Sequence, residues 1–166
     1  MSVSPKDNAL SEEELQELVA ASDTGSRSPK GSIGTFLAIV AIIWAVFQII
    51  LASPLSNNIL PGDLINNSRQ IHLAFAIFLA FMAYPALKSS PRHYIPIADW
   101  VMASVGAFIA LYGFIFYQKI VDSGGLADDV DKWVALGGLI LLFEAARRAL
   151  GPAMAIIATI FLFYVF

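Results

Sequence analysis

Three charged residues stand together inside an otherwise apolar stretch, in the segment LLFEAARRALGPAM. Glu144 lies three residues before Arg147 and four before Arg148, the spacings at which side chains meet on one face of a helix. Charges set in apolar sequence can form an active site within a membrane, a structural ion pair, or the boundary between a helix and water. We interpret this group as a helix-end ion pair, with Glu144 paired to either arginine.

Length arithmetic supports the boundary interpretation. A single helix over residues 133–166 would be roughly 50 Å long, whereas the hydrocarbon core of a bilayer is about 30 Å thick. Gly151-Pro152 also favours a break, because glycine ends helices and proline starts them. We therefore predict a helix from Trp133 to about Arg148, a cytoplasmic corner, and a new helix from Pro152.

Three further polar residues were weighed for chemistry. Asp99 is predicted in the first turn of a helix that begins at Pro96, where the helix dipole stabilises an anion, and cation binding is the alternative. His72 lies one turn after Arg69, which suits a polar residue at the membrane interface, with a proton relay as the alternative. His93 is predicted in a loop.

Motifs for catalysis are missing from the sequence. It contains no cysteine, no HExxH, GxSxG or P-loop pattern, and no histidines at metal-ligand spacing. Its net charge of −3 lacks the basic footprint of a nucleic-acid-binding protein. We therefore predict no enzyme activity, no catalytic or metal site, no cofactor and no nucleic-acid partner.

Composition predicts the fold class. The chain is 58% apolar and 14% charged, compared with about 25% charged in soluble domains. Long uncharged apolar runs are typical of membrane spans. The prediction is an all-α membrane protein, a polytopic bundle of four transmembrane helices plus the start of a fifth. The predicted spans cover about 34–53, 70–87, 96–118 and 133–148, and the fifth begins at 152.

The domain organisation follows from these spans. Residues 1–32 are predicted to form a polar cytoplasmic tail with a short amphipathic helix that starts at Ser11. Residues 33–150 form the four-helix domain, and 151–166 begin the next helix of a chain expected to continue beyond Phe166. The distribution of lysine and arginine places the N-terminus in the cytoplasm. Small residues along the third span predict a helix-packing face, at Ala103, Gly106, Ala107, Ala110 and Gly113.

Three blocks of sequence carry a resemblance to a known family. They are RQIHLAFAIFLAFMAYPA at 69–86, DWVMASVGAFIALYGFIFYQKIV at 99–121 and EAARRALGPAMAIIATIFLFYVF at 144–166. Together, in this order, they resemble the N-terminal part of fused permeases of the tripartite ATP-independent periplasmic (TRAP) transporters, of the TAXI type.

The resemblance implies a function. Such permeases join a small four-span scaffold domain to a large domain that carries the substrate and sodium sites, and a periplasmic receptor delivers an organic acid. An ion gradient drives this symport in the bacterial inner membrane. The partners implied are the lipid bilayer, the large transport domain and the receptor, and sodium is not expected to bind this chain. The alternative is a stand-alone structural or assembly membrane protein without transport activity.

The resemblance transfers no substrate-binding residue, because the matching blocks are not substrate motifs. The polar positions are therefore predicted to act in helix-end anchoring, helix pairing or contact with the transport domain. These structural or interface candidates are Arg69, His72, Asp99, Glu144, Arg147 and Arg148.

Overall fold

The computed structural model describes residues 26–27, 29, 31–87 and 94–165, so the predicted tail helix at Ser11 and the loop residue His93 lie outside it. The regular elements of this part are helices, which we number in chain order. They are α1 (Ser32–Ala52), α2 (Ser56–Ile59), α3 (Gly62–Asn66), α4 (Ser68–Ala83), α5 (Ile97–Ala110), α6 (Tyr112–Ile115), α7 (Tyr117–Asp122), α8 (Asp129–Leu150) and α9 (Pro152–Val165).

The predicted bundle of four transmembrane helices plus the start of a fifth is wrong. Among the described residues, α1 is the one helix that is both long and apolar enough to cross a membrane. The apolar helices α4, α5 and α9 have 16, 14 and 14 residues. At 1.5 Å per residue these lengths are about 21–24 Å, short of the hydrocarbon core. Helix α8 has 22 residues but carries charges in its first and last turns.

The shortened helices have local causes. Helix α4 stops at Ala83 because Pro85 follows, and the residue before a proline is pushed out of the helical region. Tyr84 accordingly adopts extended backbone angles. The predicted third span is interrupted at Leu111 and at Phe116. Its second half concentrates aromatic residues and Gly113, which are weaker helix formers than alanine or leucine.

Helix α1 lies on the outside of the structure. It is 21 residues long, and none of its residues is buried, which distinguishes it from the core helix of a soluble protein. It packs against α4. By length and composition α1 is therefore a candidate membrane span near the N-terminus.

Helix α4 forms the centre of the structure and packs most extensively against α5. Phe81 and Met82 on α4 are fully buried. A Cβ atom on Gly106 of α5 would lie 2.6 Å from Cγ2 of Ile77, so these two helices approach at a distance that glycine permits. Ala103 is also buried at this contact. Part of the predicted small-residue face therefore does pack against a neighbouring helix.

Helix α8 begins four residues before the predicted start at Trp133. Asp128 is its N-cap and forms a capping box with Asp131. The helix ends at Gly151, whose φ of 84° lies in the region that favours glycine. Helix α9 starts at the next residue, Pro152. The predicted break between the last two helices is confirmed.

Candidate functional site

The charged corner of α8 belongs to an ion-pair network that the structure centres on Asp99. Oδ2 of Asp99 accepts a hydrogen bond from Nη2 of Arg27 at 2.6 Å, and Oδ1 accepts one from Nη1 of Arg148 at 2.8 Å. The side chains of Arg27, Asp99 and Arg148 are 0%, 4% and 2% exposed. One buried carboxylate is thus shared by two buried arginines. We call the five residues that meet here the Asp99 network, which comprises Arg27, Asp99, Glu144, Arg147 and Arg148.

Glu144 extends this network toward the surface. Arg148 donates from Nε to Oε1 of Glu144 at 2.7 Å, and Arg147 donates to both carboxylate oxygens at 2.8 Å. Both pairings considered from the sequence are therefore present. Hydrogen bonds from Arg147, with a further contribution from Arg148, lower the pKa of Glu144 from 4.5 to about 2.

Arg27 ties the segment before α1 to the end of α4. Its backbone N–H donates to the carbonyl of Ala83 at 2.6 Å, and its Nη1 donates to the carbonyl of Phe81 at 3.3 Å. The last carbonyls of a helix have no partner within the helix, so these bonds satisfy groups that would otherwise be left unpaired. Nη2 of Arg147 donates to the carbonyl of Ala86, in the segment that follows α4, at 3.0 Å.

Non-polar partners complete the surroundings of Arg148. Its guanidinium lies 4.8 Å from the centroid of the Phe81 ring, and its Nη2 lies 3.8 Å from Sδ of Met102. A cation held over an aromatic face in a buried site gains electrostatic stabilisation. The Asp99 network thus joins α4, α5, α8 and the segment that precedes α1.

Three of the network's charges lie where the helix dipoles stabilise them. Asp99 lies in the first turn of α5, and Arg147 and Arg148 lie in the last turn of α8. Asp99 lies in the first turn of a helix, as predicted, and it also pairs with Arg148 and with Arg27, which was not among the predicted site residues. Helical spacing reveals partners three or four residues apart, whereas Asp99 and Arg148 are 49 residues apart and Arg27 and Asp99 are 72 apart.

The arrangement has little capacity for catalysis. Each carboxylate of the network is held by arginines, and arginine stays protonated in proteins. A general base needs a carboxylate with a pKa near the working pH, whereas the pKa of Glu144 is shifted the other way. In the part of the chain that the structure describes, no group of three or more potential ligand residues is arranged to hold a metal ion.

Arg69 and His72, the remaining candidates, lie apart from the Asp99 network on the exposed first turns of α4. Nδ1 of His72 lies 2.7 Å from Nε2 of Gln48 on α1, which is hydrogen-bond distance. The imidazole also lies 5.1 Å from the ring of Trp44. His72 therefore joins α1 to α4, as expected of a contact between helices.

A second charged cluster lies near the start of α8, and the sequence analysis did not identify it. Oη of Tyr112 donates to Oδ1 of Asp131 at 2.6 Å, and Nζ of Lys119 lies 2.9 Å from the same oxygen. Lys119 also pairs with Asp128 at 2.8 Å. We call these four residues the Asp131 network. Hydrogen bonds from Tyr112 and Lys119 hold the pKa of Asp131 well below its ordinary value.

Comparison of the chain with protein-family models, with curated proteins and with solved structures finds no match in any of the three.

Proposed function

We propose that this chain is the scaffold domain of a TRAP-type secondary transporter in the bacterial inner membrane. In this role it supports a large transport domain that moves an organic acid with sodium, and a periplasmic receptor supplies the substrate. The three sequence blocks that resemble TAXI-type permeases motivate the proposal. The N-terminus of the chain lies in the cytoplasm, as the distribution of lysine and arginine favours.

The main support for the proposal is that the buried charges of the Asp99 network are paired with one another. A site that binds an organic acid presents a cation that can exchange partners with the substrate carboxylate. Arg27 and Arg148 instead share Asp99, and both are almost fully buried. Such a network fixes the relative positions of helices, which is the property required of a scaffold.

The outer surface fits the same role. Helix α1 exposes a series of large apolar side chains, among them Ile42 at 61% and Ile49 at 69%. Helix α9 exposes Phe161 at 66% and Phe163 at 79%. Large exposed apolar surfaces mark contacts with a membrane or with another protein. We assign the surface of α1 to lipid and that of α9 to the transport domain.

Co-purification tests this proposal. The chain carries an affinity tag and is co-expressed with the large transport domain of a TAXI-type permease, here called the permease segment, and the membranes are extracted in mild detergent. We expect the permease segment to elute with the tagged chain. A chain with Ile157→Asp and Phe161→Asp on the exposed face of α9 serves as the matched variant and should lose the permease segment while remaining in the membrane.

The outcome separates scaffold from stand-alone protein. A tagged chain that elutes without the permease segment, from membranes that contain both, would contradict the scaffold role and favour the structural or assembly protein considered as the alternative. Recovery of the chain in the soluble fraction would contradict the membrane location itself.

A further inference from the structure

An apolar groove runs beside α1 on the face that the protein core does not fill. Its lining includes Phe36 and Val40 of α1, Ala74 of α4, Ala107 of α5 and Leu111, which directly follows α5. The groove has a volume of about 280 Å³, and its lining residues are all apolar. Water gains no hydrogen-bond partners in such a space.

The size of the groove indicates what it can hold. An apolar protein cavity of about 150 Å³ already takes up a ring of six carbons. A groove of 280 Å³ therefore has room for roughly twice that, on the order of a dozen carbon atoms. A peptide in extended form would leave its N–H and C=O groups unpaired against these walls. A hydrocarbon chain has no such groups.

Aromatic rings pack against one another beside the groove. The centroids of Phe36 and Phe78 are 6.4 Å apart, and those of Phe36 and Trp100 are 6.1 Å apart. A partner helix is a rod about 10 Å across, and a groove of about 280 Å³ holds less than one turn of such a rod. A narrow flexible chain fits a space of this size.

We propose that this groove binds one acyl chain of a phospholipid. The proposal rests on the membrane location argued above, because both α1 residues that line the groove lie within the candidate span Ser32–Ala52. The groove is therefore continuous with the surface that lipid would cover. A bound acyl chain fills the space between α1 and α5 and stabilises the position of α1 on the protein.

Native mass spectrometry of the full chain in mild detergent, with added dioleoyl phosphatidylglycerol, tests the proposal. We expect one phospholipid to remain bound to the wild-type chain. Ala107→Phe places a ring in the groove, and the loss of even two buried methylene contacts lowers affinity about ten-fold. Ala158→Phe on the exposed part of α9 adds the same ring outside the groove and should leave lipid retention unchanged.

Flotation with dioleoyl phosphatidylglycerol vesicles separates the two proposals. Chains that float but retain no single phospholipid, or that retain it equally in Ala107→Phe, overturn the groove proposal and leave the membrane location standing. Chains that do not float overturn both. Ala107→Leu is a second variant that fills less of the groove, for use if Ala107→Phe disturbs the fold. Circular dichroism checks that it is folded, and we expect it to retain less lipid than the wild-type chain. A mass spectrum that shows dimers of the chain without bound phospholipid would also overturn the groove proposal.

Discussion

The Asp99 network and the Asp131 network use the same chemistry in different surroundings. In each, a carboxylate accepts hydrogen bonds from two donors at 2.6–2.9 Å. The side chain of Asp99 is 4% exposed, and its partners are similarly buried. In the Asp131 network the exposed fractions are 14% for Asp131, 41% for Lys119 and 51% for Asp128.

This difference in burial changes how much the contacts contribute to stability. Exposed ion pairs are screened by water and salt and contribute little to stability. In a buried pair the removal of one partner leaves an uncompensated charge in a poorly solvated site, which is strongly destabilising. The comparison therefore predicts that stability depends on the Asp99 network much more than on the Asp131 network, although their distances are alike.

The largest effect is expected for Asp99→Ala. This change leaves Arg27 and Arg148 buried without their shared carboxylate, which should lower the free energy of unfolding by about 3–5 kcal/mol. Thermal unfolding of the full chain in detergent measures the effect. Asp63→Ala on the exposed first turn of α3 is the matched control and should change the melting temperature little. Equal losses in the two variants would refute the ranking.

Arg27→Ala should have a smaller effect than Asp99→Ala. Asp99 keeps Arg148, so the main losses are one charged hydrogen bond and the contact with the carbonyl of Phe81, for a total of roughly 2–3 kcal/mol. Limited proteolysis should also cleave near residue 27 faster, because the contact between this segment and α4 is weakened. Arg27→Lys is the control, and a lysine that fully restored stability would argue against the importance of the shared geometry.

Glu144→Ala comes next and adds a pH dependence. The free energy of unfolding should fall by about 1–2 kcal/mol, because the side chain of Glu144 is partly exposed and Arg148 remains paired with Asp99. The pKa of Glu144 falls from 4.5 to about 2 on folding, so its contribution is fully present above about pH 5. It should be lost as the pH falls from 4.5 toward 2. The melting temperatures of the wild-type and Glu144→Ala chains should converge as the pH is lowered over this range. A difference that stays constant with pH would count against the pairing.

The smallest effect is expected for Lys119→Met in the Asp131 network. Water screens this cluster, and Tyr112 continues to donate to Asp131. The melting temperature should shift less than in any of the variants above, and added salt should reduce even that shift. A loss as large as that of Arg27→Ala would overturn the distinction between the two networks.

The sequence predicted local features more accurately than long-range ones. The break at Gly151-Pro152 and the pairing of Glu144 with both arginines follow from spacing along one chain segment, and both are present. The Arg27–Asp99 contact joins residues 72 apart, and helical periodicity carries no information on it.

The span prediction erred because hydropathy was counted without the helix breaks. Tyr84-Pro85 shortens α4, and the interruptions at Leu111 and Phe116 divide the third predicted span. The helices that remain are too short, at 1.5 Å per residue, to cross the hydrocarbon core on their own. Of the candidate residues, Asp99, Glu144, Arg147 and Arg148 meet in one network, whereas Arg69 and His72 lie elsewhere.

We propose that the Asp99 network supports the structure of a scaffold and takes no part in transport. The most direct test of this proposal is sodium-driven uptake of a panel of organic acids by vesicles that contain the chain, the large permease segment and the receptor. The variant replaces Arg27 and Arg148 with methionine and Asp99 with leucine, since apolar residues of similar volume can substitute for a buried ion network. The account predicts unchanged uptake per assembled complex. An assembled complex that has lost uptake would contradict it.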